Sequence, residues 1–492
     1  MNVVKKLAGQ SAVYGLSSII GRFLNYLLVP LHTNIFVQPG QYGVVTEFYA
    51  YISFLMILFT YGMETSFFQF SRQENNSKKV FGTIMSSILA TTTVVTLGIL
   101  FFSDRIAELI MYSGHKEYVQ IMALVLGLDA LTSIPFAKLR KESKAKRFAL
   151  LKIINISINI FFNLFFFIAL PYLANSGGLF SEYFTAIYLP DNMVVYVFIA
   201  NLFASVVTFL LLLKEFRFSF GDFEFQLLKK ILLYTLPLLV AGFAGMINET
   251  LDRVMIKYLI SDPGDAMAQL GIYGACYKLS ILMTLFIQAF KYAAEPFFFS
   301  QYGKDDAKES YAVVMKYFVL TCSFIFLFIM MYIDVFKYFI GPSYRSGLHI
   351  VPILLLANMC LGIFFNLSMW YKLTGETRYG AYFAIVGAVI TIIGNIYLIP
   401  LVGYTGAAWT TLICYASIML LSYFTGARKF PVNYRPGKLA GYIGLSILFF
   451  ISSEWLTELL SLNFTIKMIL NTVLLLLYIG LVFQFDKLKE IR

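Results

Sequence analysis

Charged residues are scarce in this sequence. They make up 13% of the 492 residues, whereas an ordinary soluble domain carries about 25%, and 59% of the residues are hydrophobic. Apolar runs of roughly 20 residues recur along the whole length, and each is long enough to cross a hydrocarbon core of about 30 Å. The core of a soluble domain does not contain so many long apolar runs, so the composition indicates a polytopic membrane protein.

Residues that support catalysis or metal binding are also few. The cysteines and histidines share no spacing, which argues against a disulfide framework or a metal centre; they are Cys276, Cys322, Cys360, Cys414, His32, His115 and His349. The sequence has no P-loop, no convergent Ser/His/Asp set and no long outer loop of the kind that polymerases and ligases use. We therefore expect no enzyme activity, no ATP hydrolysis, no cofactor and no metal.

The apolar runs predict an all-α protein with about fourteen transmembrane helices. The predicted spans are 8–30, 43–66, 81–102, 118–137, 150–171, 193–213, 231–259, 270–299, 312–333, 348–371, 379–400, 405–425, 439–455 and 465–484. The first run follows Lys5 and Lys6, but it is too long for the apolar region of a signal peptide and shows no small-residue cleavage site. It is therefore predicted to be the first membrane helix.

The net charge of +11 is distributed unevenly among the loops. Basic residues cluster at the N-terminus, in alternate loops and at the C-terminus, most densely in Lys138, Arg140, Lys141, Lys144, Lys146 and Arg147. The stretches 31–42, 172–192, 260–269 and 400–405 contain no Lys or Arg. This asymmetry predicts that the basic loops and both termini are cytoplasmic. The charge thus orients the protein in a membrane and does not indicate nucleic-acid binding.

The sequence contains an internal repeat. YGMETSFF at 61–68 and YAAEPFFF at 292–299 share Y-x-x-E-x-x-F-F, with Glu64 matching Glu295. The matched glutamates follow Arg22 and Arg253 by the same 42 positions. Two further matches occur in the same order, QYG at 41–43 with QLG at 269–271, and KLRKESK at 138–144 with KLTGETR at 372–378.

Six helices separate equivalent points, so both copies have the same orientation. Parallel repeats of this kind form two lobes about an axis along the membrane normal, with a substrate site between them. We predict an N-terminal lobe at 1–214, a C-terminal lobe at 215–430, and two further helices with a cytoplasmic C-terminus at 431–492.

The opening of the chain resembles a known family. GLSSIIGRFLNYLLVPLHTNIFVQPGQYGVVTEFYAY, residues 15–51, carries Gly21-Arg22 midway along the first helix, Pro30-Leu31-x-Thr33 at its outer end, and Gln41-Tyr42-Gly43 at the start of the second. It resembles bacterial polysaccharide exporters of the O-antigen flippase type, in a superfamily with lipid II flippases and multidrug and toxin extruders. The resemblance is sharpest over 10–75 and persists as architecture to about 430, whereas the last two helices match only in number. One departure is Asn34, where relatives often carry arginine, so an outer cationic contact is not carried over.

The resemblance implies twelve helices in two V-shaped lobes with two more behind them, in a bacterial inner membrane. It also implies export of a lipid-linked sugar by alternating access.

Ionisable residues inside membrane helices are the candidate site residues, because each costs about 2.5–3.5 kcal/mol at the bilayer centre. Arg253 and Lys278 are predicted at similar depths, and together with Arg22 they could form a cationic floor for a lipid-linked diphosphate, whose charges need paired donors. A local alternative is that Glu249 stabilises Arg253, and Lys291 stabilises Glu295, each four residues along a helix.

Other polar residues suggest gating, ion coupling or sugar contact. Glu64 and Glu295 are expected near the cytoplasmic mouth, where a gating or structural role fits, and Asp252, Glu249 and Asp129 are candidates to carry a coupling ion. Asn155, Asn159 and Asn163 recur every four residues on one helix face, so they either line a hydrated cavity for sugar hydroxyls or bond a neighbouring helix.

These observations predict a flippase that moves an isoprenoid-diphosphate-linked oligosaccharide from the cytoplasmic to the periplasmic leaflet. Its expected partners are the lipid-linked substrate, membrane lipids, a coupling H⁺ or Na⁺, and a glycan polymerase or glycosyltransferases. A cation-coupled drug extruder of the same superfamily is an alternative that would favour an acidic cavity. A membrane glycosyltransferase or polymerase is a further alternative, which the repeat and the short outer loops disfavour.

Overall fold

The computed structural model describes residues 19–21, 23–73, 77–177, 181–216 and 220–490. By its internal contacts the chain divides into two compact units. The first unit is Met1–Tyr258 with Asp262–Gly271, and the second is Leu259–Ser261 with Ile272–Arg492.

Among the described residues, twelve α-helices with assigned bounds begin in the first unit, and the last two of them end in the second. They are α1 Leu28–Ile35, α2 Pro39–Thr60, α3 Met63–Gln73, α4 Ser77–Phe101, α5 Ser103–Leu109, α6 Lys116–Lys141, α7 Ala145–Leu164, α8 Leu170–Ala174, α9 Ser181–Ile187, α10 Val194–Leu212, α11 Phe225–Leu259 and α12 Pro263–Leu279. A five-residue π turn, Phe165–Ala169, joins α7 to α8.

The second unit continues with nine α-helices. They are α13 Ile281–Gln301, α14 Ala307–Met331, α15 Ile333–Phe336, α16 Val351–Leu367, α17 Met369–Leu373, α18 Arg378–Val402, α19 Tyr404–Lys429, α20 Pro436–Leu459 and α21 Phe464–Glu490.

The predicted class, an all-α polytopic membrane protein, is confirmed. Among the described residues, 12 helices are long and apolar enough to cross a membrane, and the pair α12 and α13 raises the number to 13. Each overlaps one of the predicted spans from 43–66 onwards, while most of the predicted span 8–30 lies outside the described residues. Exposed apolar side chains cover the outer helix faces, as Val94 and Leu97 do on α4 at 69% and 59% exposure. Such surfaces are stable against lipid and not against water.

Some of the predicted spans are broken rather than continuous. The span that contains α2 and α3 turns at Tyr61 and Gly62, whose φ angles of 30° and 74° lie in the left-handed region. The Tyr61 hydroxyl is 2.8 Å from Ser87 Oγ on α4, which holds this less favourable backbone in place. The span predicted at 270–299 bends by 50° where α12 meets α13.

The triplets Gln41-Tyr42-Gly43 and Gln269-Leu270-Gly271, matched in the repeat, meet in the first unit. A Cβ atom added at Gly271 would overlap the Pro39 carbonyl oxygen, and one added at Gly43 would overlap the Met267 carbonyl oxygen. Only glycine permits so close a backbone approach. The close packing of α2 against α12 thus explains why both copies of the triplet end in glycine.

The last two helices, α20 and α21, are held to the rest of the second unit by polar contacts. Lys467 on α21 lies 2.9 Å from Asp334 and 3.1 Å from Glu454, and the Asn471 amide donates to the Met331 carbonyl at 2.5 Å. Burial alone would raise the pKa of Asp334, but hydrogen bonds from Lys337 and Lys467 hold it below its ordinary value. These contacts satisfy buried polar groups that would otherwise oppose packing.

Candidate functional site

A buried ion pair connects α2 to α11 in the first unit. Lys257 Nζ lies 3.0 Å from both carboxylate oxygens of Glu47, and the side chains are 5% and 0% exposed. The same ammonium donates to the Ile110 carbonyl oxygen at 2.6 Å. Two charges withdrawn from water need such a full set of partners, because their desolvation otherwise exceeds their mutual attraction.

Two tyrosines complete the coordination of Glu47. The hydroxyls of Tyr51 and Tyr112 donate to its two oxygens at 2.5 Å each, and the Tyr112 ring centroid lies 3.9 Å from Lys257 Nζ. Tyr112 lies in the loop between α5 and α6, where burial and then the Glu47 charge raise its pKa well above the ordinary value. It therefore remains a proton donor to the carboxylate at neutral pH.

Sequence reasoning missed this cluster of Glu47, Lys257, Tyr51 and Tyr112, which we call the outer cluster. The available signal was an acid inside the apolar run 43–66 and a base inside the run 231–259, each costly in a membrane helix. The pattern of neither run shows that the two side chains meet.

A second ion pair in the first unit joins Glu64 on α3 to Arg140 on α6. The pair is partly exposed, at 42% and 32% of the two side chains. The Arg140 guanidinium also lies 5.3 Å from the ring centroid of Phe68, and Lys141 Nζ lies 5.3 Å from that of Phe67. The basic end of α6 therefore contacts both the glutamate and the phenylalanines of Y-x-x-E-x-x-F-F.

The second unit repeats this arrangement with its own residues. Lys372 Nζ lies 2.8 Å from Glu295, and Phe298, which is 2% exposed, packs edge-on to Tyr311 with centroids 5.0 Å apart. Glu295, Lys372 and Lys291 line a cavity of about 20 Å³. In each unit, the glutamate of Y-x-x-E-x-x-F-F thus pairs with a base of the second repeated motif, KLRKESK at 138–144 or KLTGETR at 372–378. We call Glu64–Arg140 and Glu295–Lys372 the inner pairs.

The interior of the first unit also holds an acid and a base. Ser205 on α10 donates to Asp129 Oδ1 at 2.8 Å, and Lys152 on α7 is close enough to interact with Asp129 electrostatically. Lys152 Nζ also lies 4.2 Å from the ring centroid of Phe136. Asp129 was a candidate from the sequence, whereas Lys152 was missed.

The three asparagines of α7 contact neighbouring helices. Asn155 donates to the Ala204 carbonyl at 3.1 Å and to Thr208 Oγ1 at 2.8 Å, both on α10. Asn159 donates to Asn25 at 3.3 Å, and the Asn163 amide oxygen is 2.7 Å from His32 Nε2. These amides thus connect α7 to the first helical segment and to α10, and their contact with sugars stays a prediction.

The remaining candidates lie on α11 and α12. Asp252 is 4% exposed and accepts the Arg253 backbone N–H at 2.8 Å, while Arg253 Nη1 donates to the Glu249 carbonyl oxygen at 3.1 Å. The Glu249 side chain is exposed, and Lys278 is half-buried near the end of α12 in the second unit. Arg22 lies outside the described residues, so the cationic floor of Arg22, Arg253 and Lys278 stays a prediction.

Comparisons with known proteins identify the family of this chain. A family model described as polysaccharide biosynthesis protein matches residues 7–301, which is more than half of the chain. The structure of the lipid II flippase MurJ in an inward closed conformation matches 97% of this chain and 99% of its own with a TM-score of 0.69 at 15% identity.

A second match is the inward-facing structure of a multidrug resistance MATE family transporter of the MOP superfamily. It covers 88% of this chain and 95% of its own with a TM-score of 0.62 at 15% identity. At such low identity the two likenesses establish the fold alone. No curated protein sequence matched. The chain therefore belongs to the polysaccharide biosynthesis protein family, and it has the multi-pass membrane fold found in MurJ and the MATE transporters.

Proposed function

We propose that the protein is a flippase of the O-antigen type. It moves an isoprenoid-diphosphate-linked oligosaccharide from the cytoplasmic to the periplasmic leaflet of a bacterial inner membrane, for surface polysaccharide biosynthesis. The observation that carries this proposal is the family match over residues 7–301 on a transporter fold. The chain then acts as a transporter and not as an enzyme, and a glycan polymerase or glycosyltransferases would handle the same substrate before or after it.

The substrate class sets the physical task. Each sugar hydroxyl that enters hydrocarbon without a partner costs several kcal/mol, and a phosphate charge costs far more. The headgroup therefore needs a polar path while its lipid tail stays in the bilayer. In this proposal Arg22, Arg253 and Lys278 contact the diphosphate. Asn155 and Asn159 supply amide groups for the sugars when the contacts of α7 rearrange.

The ion pairs suggest how the path opens and closes. In this proposal the inner pairs lie on the cytoplasmic side, because the base of each pair lies at the end of the fourth helix of its repeat, beside a loop that is predicted to be cytoplasmic. The outer cluster then lies on the periplasmic side. It connects α2 to α11, the helix that opens the second repeat in the sequence. We propose that the outer cluster holds the periplasmic end closed and that its opening accompanies release of the oligosaccharide.

An ion gradient or the membrane potential would drive the cycle. One charge moved through 100 mV contributes about 2.3 kcal/mol. Asp129 is the coupling candidate best supported by its surroundings, because it lies beside Lys152 and accepts a hydrogen bond from Ser205. Asp252 and Glu249 remain alternatives, and the ion would be H⁺ or Na⁺.

The test uses a strain that lacks this gene. Its lipid-linked oligosaccharides are extracted, and their sidedness is measured in intact spheroplasts with an impermeant reagent. We expect a complete oligosaccharide to accumulate on the cytoplasmic leaflet, and both the wild type and Arg253→Lys to relieve the accumulation. Arg253→Gln should fail, because it removes the charge that the diphosphate requires.

Two other results would contradict the proposal. Absence of accumulation together with new sensitivity to cationic dyes would identify a drug extruder, which is the activity named for the MATE structure that matches. Accumulation of incomplete oligosaccharides would indicate a glycosyltransferase or polymerase instead.

A further inference from the structure

A cavity of about 590 Å³ opens in the second unit. It lies between the start of α14 and the loop that leads into α20. Its polar lining comprises Lys308, Glu309, Lys316, Asn433, Tyr434, Arg435 and Lys438. Four bases therefore face one carboxylate across a space large enough for a small headgroup.

The backbone adds to this positive potential. The cavity lies at the N-terminal ends of two long helices, α14 with 25 residues and α20 with 24. The N-terminus of a helix carries a partial positive charge and unpaired N–H groups, so it favours anions. Two such ends beside four basic side chains predict binding of an anionic group.

Two of the bases lack a carboxylate partner in the part of the chain that the structure describes. Lys308 Nζ lies 5.3 Å from the ring centroid of Phe430, and neither Lys308 nor Arg435 forms an ion pair there. Arg435 has a φ angle of 49°, in the left-handed region that side chains rarely adopt. Such a conformation costs free energy and persists where the surroundings impose it, most often at functional positions.

The cavity is also apolar on one side. Ala312, Val313 and Leu439 line it further along α14 and α20, and Val313 is 43% exposed. Lys316 lies nine residues beyond the start of α14, about 13 Å along the helix axis, and its Nζ lies 4.5 Å from the ring centroid of Tyr317. A ligand that fits has a charged end at the membrane surface and an apolar end that follows the helices into the bilayer.

We propose that this cavity binds the phosphate headgroup of a membrane lipid. Basic pockets between membrane helices on the cytoplasmic side are where anionic headgroups bind. The site does not depend on what the protein transports. The phosphate could come from an anionic phospholipid of the bilayer or from an isoprenoid diphosphate, and the experiment separates these sources.

The test measures lipid binding to the purified full-length protein in detergent by native mass spectrometry. The probes are phosphatidylglycerol, phosphatidylethanolamine with the same acyl chains, undecaprenyl diphosphate and inorganic phosphate. The variant is the double substitution Lys308→Gln/Arg435→Gln. The matched control is Lys304→Gln/Arg428→Gln, which removes two exposed charges that lie near the same helix ends but are not among the lining residues of the cavity.

We expect phosphatidylglycerol, undecaprenyl diphosphate or both to bind at least about tenfold more tightly than phosphatidylethanolamine. The cavity variant should lose about tenfold or more of that affinity, and the control should keep it. The ligand is the lipid whose affinity falls when the cavity bases are replaced.

The proposal is wrong if both variants bind alike, or if only inorganic phosphate responds to the cavity substitutions. Should the double variant not fold, as shown by thermal unfolding in detergent, Lys308→Gln alone gives the same comparison against Lys304→Gln.

Discussion

Removal of Lys257 from the outer cluster tests the energetic reasoning most sharply. In Lys257→Met the Glu47 carboxylate, which is 0% exposed, keeps its two tyrosine donors but loses its counter-charge. Breaking a buried pair by removing one partner costs about 3–5 kcal/mol, which changes a conformational or folding equilibrium by a factor between about a hundred and a few thousand. Glu47→Gln should cost a similar amount, because it leaves the ammonium buried without its partner.

The double variant Glu47→Gln/Lys257→Met should be markedly less destabilised than the sum of the single variants. Its glutamine oxygen can still accept from a tyrosine, and its methionine fills the space of the lysine chain without a charge. The assay is the free energy of unfolding of all four proteins in mixed micelles, measured by SDS titration.

Tyr112→Phe serves as a control with a smaller expected loss of stability. It removes one hydrogen bond to a charged group, which is worth about 1.5–3 kcal/mol. If the free energies of the two single variants simply add in the double variant, to within about 0.5 kcal/mol, the buried pair does not exist as described.

Three further outcomes follow from the contacts. Gly271→Ala should separate α2 from α12 and destabilise the protein by about 1–3 kcal/mol or more, whereas Gly98→Ala, with nothing within 4 Å, should be neutral or slightly stabilising in the same titration. Reversal of charge at Glu64 or at Arg140 alone should cost about 1 kcal/mol and reduce oligosaccharide export in the deletion strain, and the double exchange should restore both. Because the pKa of Asp334 is lowered, its stabilising effect is present at neutral pH and is lost as the pH falls below its ordinary value of 3.8; Asp334→Asn should remove this acid-dependent loss in thermal unfolding.

Hydropathy alone predicted most of the fold, because a membrane helix is defined by local composition and length. It could not predict the bend at Ser280, since no proline or glycine stands at that position and the apolar run continues through it. The repeat was visible because Glu64 and Glu295 recur in the shared pattern Y-x-x-E-x-x-F-F. The structure shows what the recurrence preserves, which is an acid that meets a base from the fourth helix of its own half.

The partners of the charged residues were not predictable from the sequence. Glu47 and Lys257 are 210 positions apart, and a charge in an apolar stretch of helix gives no sign of which neighbouring helix it faces. The asparagine periodicity of α7 correctly indicated a polar face but not its contacts, because helix packing decides between a cavity and a neighbouring helix. Which residues meet the substrate depends in the same way on tertiary contacts.

The most direct test of the proposed function is transport by the purified protein in proteoliposomes. A lipid-linked oligosaccharide is placed in one leaflet only, and its transfer is followed by its cleavage by an impermeant glycosidase on the other side. Liposomes that contain the heat-inactivated protein are the blank. We expect wild type and Arg253→Lys to transfer the oligosaccharide and Arg253→Gln to fail. If the wild type transfers no more of the lipid than the blank while it transports cationic dyes, the chain is not a lipid-linked oligosaccharide flippase.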